Sequence, residues 1–284
     1  MTIVQNRAAN SEVLEIAYGG VSFRVQTDRP RRAYWERFSA GQWEPQTLAA
    51  LRHFLSPKQS FIDCGAWIGP TALYGAHFAR QVYALEPDPV AFAELSQNVA
   101  LNPDASARIV LCELCLAPEP GPVTLFAGGA YHSQTSRFGD SMSSIVASEG
   151  HRQQDTRTAQ GVRLEDFMAD NAITDCGYIK MDVEGAEYSL IIGRWRRMAA
   201  FGSPTLHLSF HAPALAERAR LIGDCLEELQ GCYRWLYSAL DHSLLDPSAL
   251  LAEIADWSDD SPASPWSKLD TLLGAGIVAS NRPW

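Results

Sequence analysis

The chain has 284 residues, 46% hydrophobic and 20% charged, the composition of an ordinary globular protein with enough apolar material for a large core. Its formal net charge of −10 argues against general affinity for nucleic acid or an anionic membrane, because phosphate binding needs clustered Lys and Arg. It has no apolar run long enough to span a bilayer, and "MTIVQNRAAN" lacks the cationic start and apolar stretch of a signal peptide, so a cytoplasmic protein without a membrane partner is expected. The cysteines Cys64, Cys112, Cys115, Cys176, Cys225 and Cys232 are scattered through apolar stretches and read as reduced core thiols. Cys112 and Cys115 form a C-x-x-C, but it lies in "ARIVLCELCLA", a buried-strand pattern. With no second Cys or His pair at metal spacing, no metal is expected there.

In chain order, "EVLEIAYGGVSFRV" alternates apolar and polar residues on either side of Gly19-Gly20, a hairpin signal. The basic clusters Arg29-Pro-Arg-Arg32 and Arg194-Trp-Arg-Arg197 read as solvated surface. "WEPQTLAALRHFL" predicts a helix after Pro45. From there strand and helix patterns alternate: "SFIDCG", "PTALYGAHFA", "QVYALEP", "PVAFAELSQNVALN" and "ARIVLCELCLA". Residues 127–160 are polar, rich in Ser and Gly and weakly periodic, and are expected to form a lid or substrate loop. The alternation resumes with helix "VRLEDFMADN", strand "CGYIKMDVEG", helix "AEYSLIIGRWRRM", strand "TLHLSFH", helix "ALAERARLIGDCLEELQ" and strand "YRWLYS". A loop with a short helix, a helix "WSKLDTLLGA" and a strand "GIVAS" follow. Such a pattern implies βαβ units, a mainly parallel sheet and helices on both faces. The expected organisation is an N-terminal hairpin extension, 1–45, before one domain, 46–284, with no internal repeat.

The stretch "SFIDCGAWIGPTALYGAHFARQVYALEPDP" places two glycines behind Asp63 and an acid, Glu86, at the end of the next strand. Ligands of open α/β sheets sit outside the carboxyl ends of the strands, and glycines there let backbone approach the ligand. The spacing Gly65-Ala-Trp-Ile-Gly69 is not G-x-G-x-x-G, and Asp63 would repel a pyrophosphate, so a nicotinamide dinucleotide is disfavoured. S-adenosyl-L-methionine fits better: its sulfonium and amino groups are cationic, and Glu86 is placed to accept from a ribose diol.

"FIDCGAWIGPTALYGA", "YALEPDP", "NVALN" and "YIKMDVEGAEYSLIIG", in this order, resemble the FkbM-type methyltransferases over roughly residues 43–211. The resemblance implies a Rossmann-like class I methyltransferase fold with a mainly parallel seven-strand sheet. It also implies S-adenosyl-L-methionine as cofactor, and methylation of hydroxyl oxygens on sugars, polyketides or other small secondary metabolites. Carried over residue by residue, it implies cofactor contacts from Asp63, Gly65, Gly69, Glu86 and Asp88, with Asp182 and Glu184 at the active-site end of the fourth strand. Trp67 and Pro70 depart from the residues usual in the family's turn.

Methyl transfer to an alcohol calls for alignment, shelter from water and a general base. Candidates at strand ends are Asp182, Glu184, Glu187 and His211, with His211 the expected base; a divalent ion held by Asp182 and its neighbours to polarise a hydroxyl is an alternative, but without a second ligand cluster no metal is assigned. His207 shares a strand face with His211 and reads as a core histidine. Tyr131, His132, Ser141, Ser143 and Ser144 are candidate acceptor contacts; Trp43 is expected to pack at the N-terminal face and Glu44 to border the cofactor. The rival readings are an N- or carboxyl-methyltransferase, including one acting on a peptide terminus, and a binding module that keeps the nucleotide pocket without catalysis. The expected partner is a small-molecule acceptor, with no nucleic acid.

Overall fold

The alternation of patterns after residue 59 becomes a seven-stranded sheet in the computed structural model, which describes residues 12–128, 138–147, 155–211, 215–255 and 274–284. Ahead of it, β1 (Glu12–Tyr18) and β2 (Val21–Thr27) pair antiparallel across Gly19 and Gly20. Both glycines have positive φ, 59° and 81°, as the tightest hairpin turn requires. Helix α1 (Arg29–Ser39) then occupies the stretch that the sequence reading treated as solvated basic surface. Asp28 caps it by accepting from the Arg31 N–H, and a proline sits in its first turn. Its apolar face, Trp35 and Phe38, is fully buried against Phe23. Arg31 is not solvated either: it pairs with Glu94 at 3.4 Å and lies over the Trp67 ring.

Helix α2 (Pro45–Phe54) leads into β3 (Ser60–Cys64), α3 (Pro70–Gly75), β4 (Gln81–Leu85), α4 (Pro89–Ala100), the short α5 (Pro103–Ser106) and β5 (Ile109–Cys112). The strand expected over "ARIVLCELCLA" is divided. Leu114 N–H turns back to the Cys112 carbonyl, so β5 stays in the main sheet while β6 (Cys115–Leu116) joins a second, three-stranded sheet. That sheet is completed by β7 (Gly121–Phe126) and β8 (Thr156–Val162), antiparallel to each other. The end of the expected irregular segment is therefore strand. Residues 138–147 are tied back to β7 by the Phe126–Ser144 bridge. Tyr131 and His132 lie outside the described residues, as does most of the expected helix "WSKLDTLLGA".

The chain continues through α6 (Leu164–Asp170), β9 (Cys176–Met181), α7 (Glu187–Ile191), a 3-10 turn (Trp195–Phe201), β10 (Thr205–Leu208), α8 (Leu215–Gln230), β11 (Trp235–Ser238), α9 (Pro247–Ala255) and β12 (Ile277–Ser280). The main sheet runs β11-β12-β10-β9-β3-β4-β5. Its pairings are parallel except for β12, which is antiparallel to both neighbours. The chain order reverses beside β3, which is where such sheets open a crevice at their carboxyl ends.

Alternation along the strands divides the core between the two faces. Ile62, Ile179 and Met181 pack with Leu164, Met168, Ile222 and Leu226; Phe61, Val82 and Tyr178 pack with Leu48, Leu51, Leu73 and Leu95. Ile16, Val25, Trp35 and Phe38 belong to the second of these clusters, so the N-terminal hairpin and α1 share a core with the sheet. All six cysteines are free thiols, four of them buried. Among the described residues no helix is long and apolar enough to cross a membrane.

Candidate active site

A cavity of about 390 Å³ opens at the carboxyl ends of β3, β4, β9 and β10. Gly65, Trp67, Glu86, Lys180, Asp182, Glu184 and His211 line it from the sheet side, and Tyr34, Arg37, Trp43 and Glu44 from the N-terminal elements.

At the β3–β4 end the geometry is set by backbone. Gly65 has φ 80°, and a Cβ there would stand 1.9 Å from the Asp182 carbonyl oxygen, so only glycine lets the end of β3 press against the end of β9. Gly69, with φ 98°, starts α3. Between them Trp67 also adopts positive φ, 48°, and turns its N–H to Glu86. Glu86 is 6% exposed; one carboxylate oxygen accepts the Trp67 N–H at 2.7 Å and the other accepts the Asp88 N–H at 2.8 Å. Burial pushes this carboxyl up to about 8, against the pull of those two hydrogen bonds.

Asp63, Gly69 and Asp88, all expected as cofactor contacts, do not line the cavity. Asp63 is fully buried, one oxygen accepting from the Thr71 hydroxyl at 2.6 Å and the other without a partner; burial raises its pKa against the nearby Lys180 charge. Asp88 precedes the proline that starts α4 and acts as its N-cap, accepting from the Val90 and Ala91 N–H groups. Its second oxygen accepts the Gly139 N–H at 2.6 Å and the Ser143 hydroxyl at 2.7 Å, pinning residues 138–147 beside the cavity. Ser143 thus serves Asp88, and Ser144 gives its hydroxyl to the Glu184 carbonyl at 2.6 Å. Ser141 and Ser143 line the cavity.

At the β9–β10 end the geometry is set by charge. Lys180 and Asp182, two apart and so on one face of the strand end, form a pair at 2.7 Å. Glu187 is fully buried at the start of α7 and accepts the N–H groups of Val183 and Gly185. It also meets His211 Nδ1 at 2.7 Å. His211 Nε2 then faces Asp182 Oδ1 at 3.3 Å and Glu184 Oε1 at 3.5 Å. Burial opposes the imidazolium, but Glu187, Glu184 and Asp182 outweigh it and raise His211 to about 10. The expected base near the ordinary imidazole value is therefore corrected: with these neighbours His211 holds its proton at neutral pH.

Burial lifts Glu184 to about 7, against the His211 charge. Burial would raise Asp182 as well, but Lys180 and His211 overcome it and hold it at about 2. Burial also opposes the charge of Lys180, but Asp182, Asp63 and Glu44 outweigh it and raise its pKa. Glu44, in a left-handed conformation before α2, is raised by burial and by the charge of Asp182. His207 is the core histidine expected: its ring nitrogens meet the Tyr178 hydroxyl and the Ala275 carbonyl, and burial lowers it to about 4.

Trp43, expected to pack at the N-terminal face, stacks on Phe38 and lines the cavity. Sequence reasoning missed Lys180, Tyr34 and Arg37. The signal for Lys180 was a lone cation inside the apolar strand "YIKM"; Tyr34 and Arg37 had none, because α1 itself was not read. Asp182, Glu184 and His211 each offer a ligand atom within 4.8 Å of the other two, a grouping the sequence analysis did not assign to a metal.

The sequence model of the methyltransferase FkbM domain matches residues 63–232. No curated protein gives a match. Among solved structures, a complex of aTrm5 with tRNALeu is 19% identical over 36% of this chain and 27% of that one, with a TM-score of 0.28. Trm5 of Methanocaldococcus jannaschii in complex with adenosine is 13% identical over 70% of this chain and 42% of that one, with a TM-score of 0.33. Trm5b of Pyrococcus abyssi is 12% identical over 78% and 54%, with a TM-score of 0.34. The chain thus spans between about a quarter and just over half of these proteins' lengths.

Proposed function

The chain belongs to the FkbM methyltransferase family, and from that premise we propose that it is a cytoplasmic S-adenosyl-L-methionine-dependent O-methyltransferase acting on a hydroxyl of a small acceptor, on a class I methyltransferase fold. The strand order β11-β12-β10-β9-β3-β4-β5, with β12 alone reversed, supports the fold. The single observation that carries the reading is Glu86, a buried carboxylate aimed into a cavity and held there by two backbone N–H groups, with lone pairs left for a pair of ribose hydroxyls. The rest of the cavity fits the same cofactor. It has a glycine turn that brings backbone to its wall, and Glu44 and Asp182 give it the acidic lining that a sulfonium and an ammonium require. At about 390 Å³ the cavity lies toward the low end of the ~300–1,000 Å³ usual for ligand sites.

When bound, the cofactor supplies an electrophilic methyl group; the chain's own residues do the rest. Trp43, Trp67 and Tyr34, in edge-to-face contact, form an aromatic wall of the cavity. His211 keeps its proton and is oriented by Glu187, so it serves as a fixed positive donor. Glu184, lifted to about 7, accepts the acceptor's proton at Oε1, since a base is most effective with its pKa near the working pH. That proton-handling cluster favours a hydroxyl over a neutral amine, which needs no base, and over a binding module, which needs no cluster. The acidic lining and the net charge of −10 favour a neutral or cationic acceptor.

Thermal melting tests the cofactor. S-adenosylhomocysteine at 100-fold above its dissociation constant should stabilise the folded state by ~2.7 kcal/mol, and NAD should not. A shift with NAD alone would sink the reading.

A further inference from the structure

We infer that Asp182, Glu184 and His211 form a binding site for one divalent cation of the Mg²⁺ or Mn²⁺ type at the floor of the cavity. The ligand atoms are His211 Nε2, Asp182 Oδ1 and Glu184 Oε1, drawn from the ends of β9 and β10. Nε2 lies 3.3 Å from the first oxygen and 3.5 Å from the second, and all three residues line the cavity. These separations are too long for good charge-assisted hydrogen bonds, which run to ~2.7–2.9 Å. Among the described residues Nε2 makes no hydrogen bond, whereas Nδ1 of the same ring makes a short one to Glu187. They suit a shared central ion instead: bonds of ~2.0–2.1 Å in octahedral geometry put neighbouring ligand atoms about 3 Å apart.

The surroundings are built for the same purpose. Glu187 is fully buried, fixed by two backbone N–H groups and placed to accept from Nδ1. That arrangement fixes the Nδ1 proton, so an entering ion displaces only the Nε2 proton and takes the lone pair that faces the two carboxylates, the usual outer-shell partnership of a metal-bound histidine. Lys180 occupies the other oxygen of Asp182, Oδ2, and leaves Oδ1 available. Glu184 is held at positive φ, 55°, by a turn whose carbonyl is fixed by the Ser144 hydroxyl, so its side chain is returned toward Asp182 at some backbone cost. Two carboxylates and one imidazole leave several coordination positions open, and they face the cavity. Oxygen-rich, partly open sites of this kind suit Mg²⁺ and Mn²⁺.

The inference goes beyond the proposed function and does not depend on it. With the ion in place Glu184 is a ligand, and a hydroxyl completing the shell is acidified by the ion's charge. Without it the proton passes to Glu184 directly.

The test uses Mn²⁺ alone, added to the chelator-stripped full chain and followed by loss of the free-ion electron paramagnetic resonance signal. One ion should bind per chain. Asp182→Asn and His211→Gln should each weaken binding at least tenfold, and Glu187→Gln by ~10–100-fold. Glu86→Gln, at the other end of the cavity, should bind Mn²⁺ as the wild type does. Circular dichroism checks that each variant folds; if Asp182→Asn does not, Glu184→Gln, on the turn after β9, replaces it. Absence of Mn²⁺ binding, or binding that the Asp182, Glu184 and His211 variants leave intact, overturns the site. Melting with S-adenosylhomocysteine in the same stripped protein reports separately on the cofactor pocket.

Discussion

At the ends of β3 and β4 one carboxylate, Glu86, is fixed by two backbone N–H groups, whereas at the ends of β9 and β10 three carboxylates are arranged around one imidazole. The first arrangement is set by backbone donors that do not titrate, and only Glu86 itself changes charge, at about 8. The second depends on the charge each member carries. His211 is raised to about 10 and Asp182 is held at about 2 chiefly by their partners, and a cation arriving in the cavity changes both. A rigid end suited to recognition therefore sits beside a responsive end suited to moving a proton.

The largest effect expected from breaking this contrast is on turnover. Glu184→Gln should lower kcat by ~10²–10⁴-fold and abolish the rise in rate through pH about 7, while cofactor affinity measured by calorimetry stays near wild type. If cofactor affinity falls as steeply as turnover, the two ends are not separate.

Glu86→Gln should do the opposite. It keeps the shape but, above pH about 8 where the wild-type carboxyl is ionised, loses charge-assisted acceptance, so cofactor binding there weakens by about 1–3 kcal/mol with kcat at saturating cofactor little changed. In the wild type the same binding should tighten as pH rises through about 8, where the buried carboxyl ionises.

A smaller effect concerns stability. His211 is raised in the folded state, so its contribution is fully present below the unfolded value of about 6.5 and is lost as pH rises through about 10. Melting temperature across that window should fall more in the wild type than in Glu187→Gln, which removes one of the charges that raise the imidazole. Equal slopes would mean that the cluster does not hold the proton.

The contrast also explains what was legible in the sequence. The β3–β4 end is one contiguous stretch, so Gly65, Gly69 and Glu86 stood out together, as did the strand and helix alternation that builds the sheet. The β9–β10 end joins residues remote in sequence. Asp182, Glu184 and His211 were visible singly as acids or a histidine at strand ends, but their mutual distances, and hence the protonated state of His211, come only from the packing of β9 against β10. Asp88 misled because an acid after a strand is equally the N-cap of the next helix, and the hydrogen bonds from Val90 and Ala91 decide for the cap. Helix α1 was hidden because its arginines masked a narrow apolar face that includes Trp35 and Phe38, leaving Tyr34 and Arg37 unread at the rim.

The central claim is that Glu86 receives the ribose of S-adenosylmethionine while the Asp182–Glu184–His211 cluster faces the reacting sulfur. A crystal structure with S-adenosylhomocysteine tests it most directly. The account predicts both ribose hydroxyls within hydrogen-bond distance of the Glu86 carboxylate and the sulfur directed toward His211. A ligand whose ribose lies away from Glu86, or whose adenosyl end occupies the His211 side of the cavity, would contradict it.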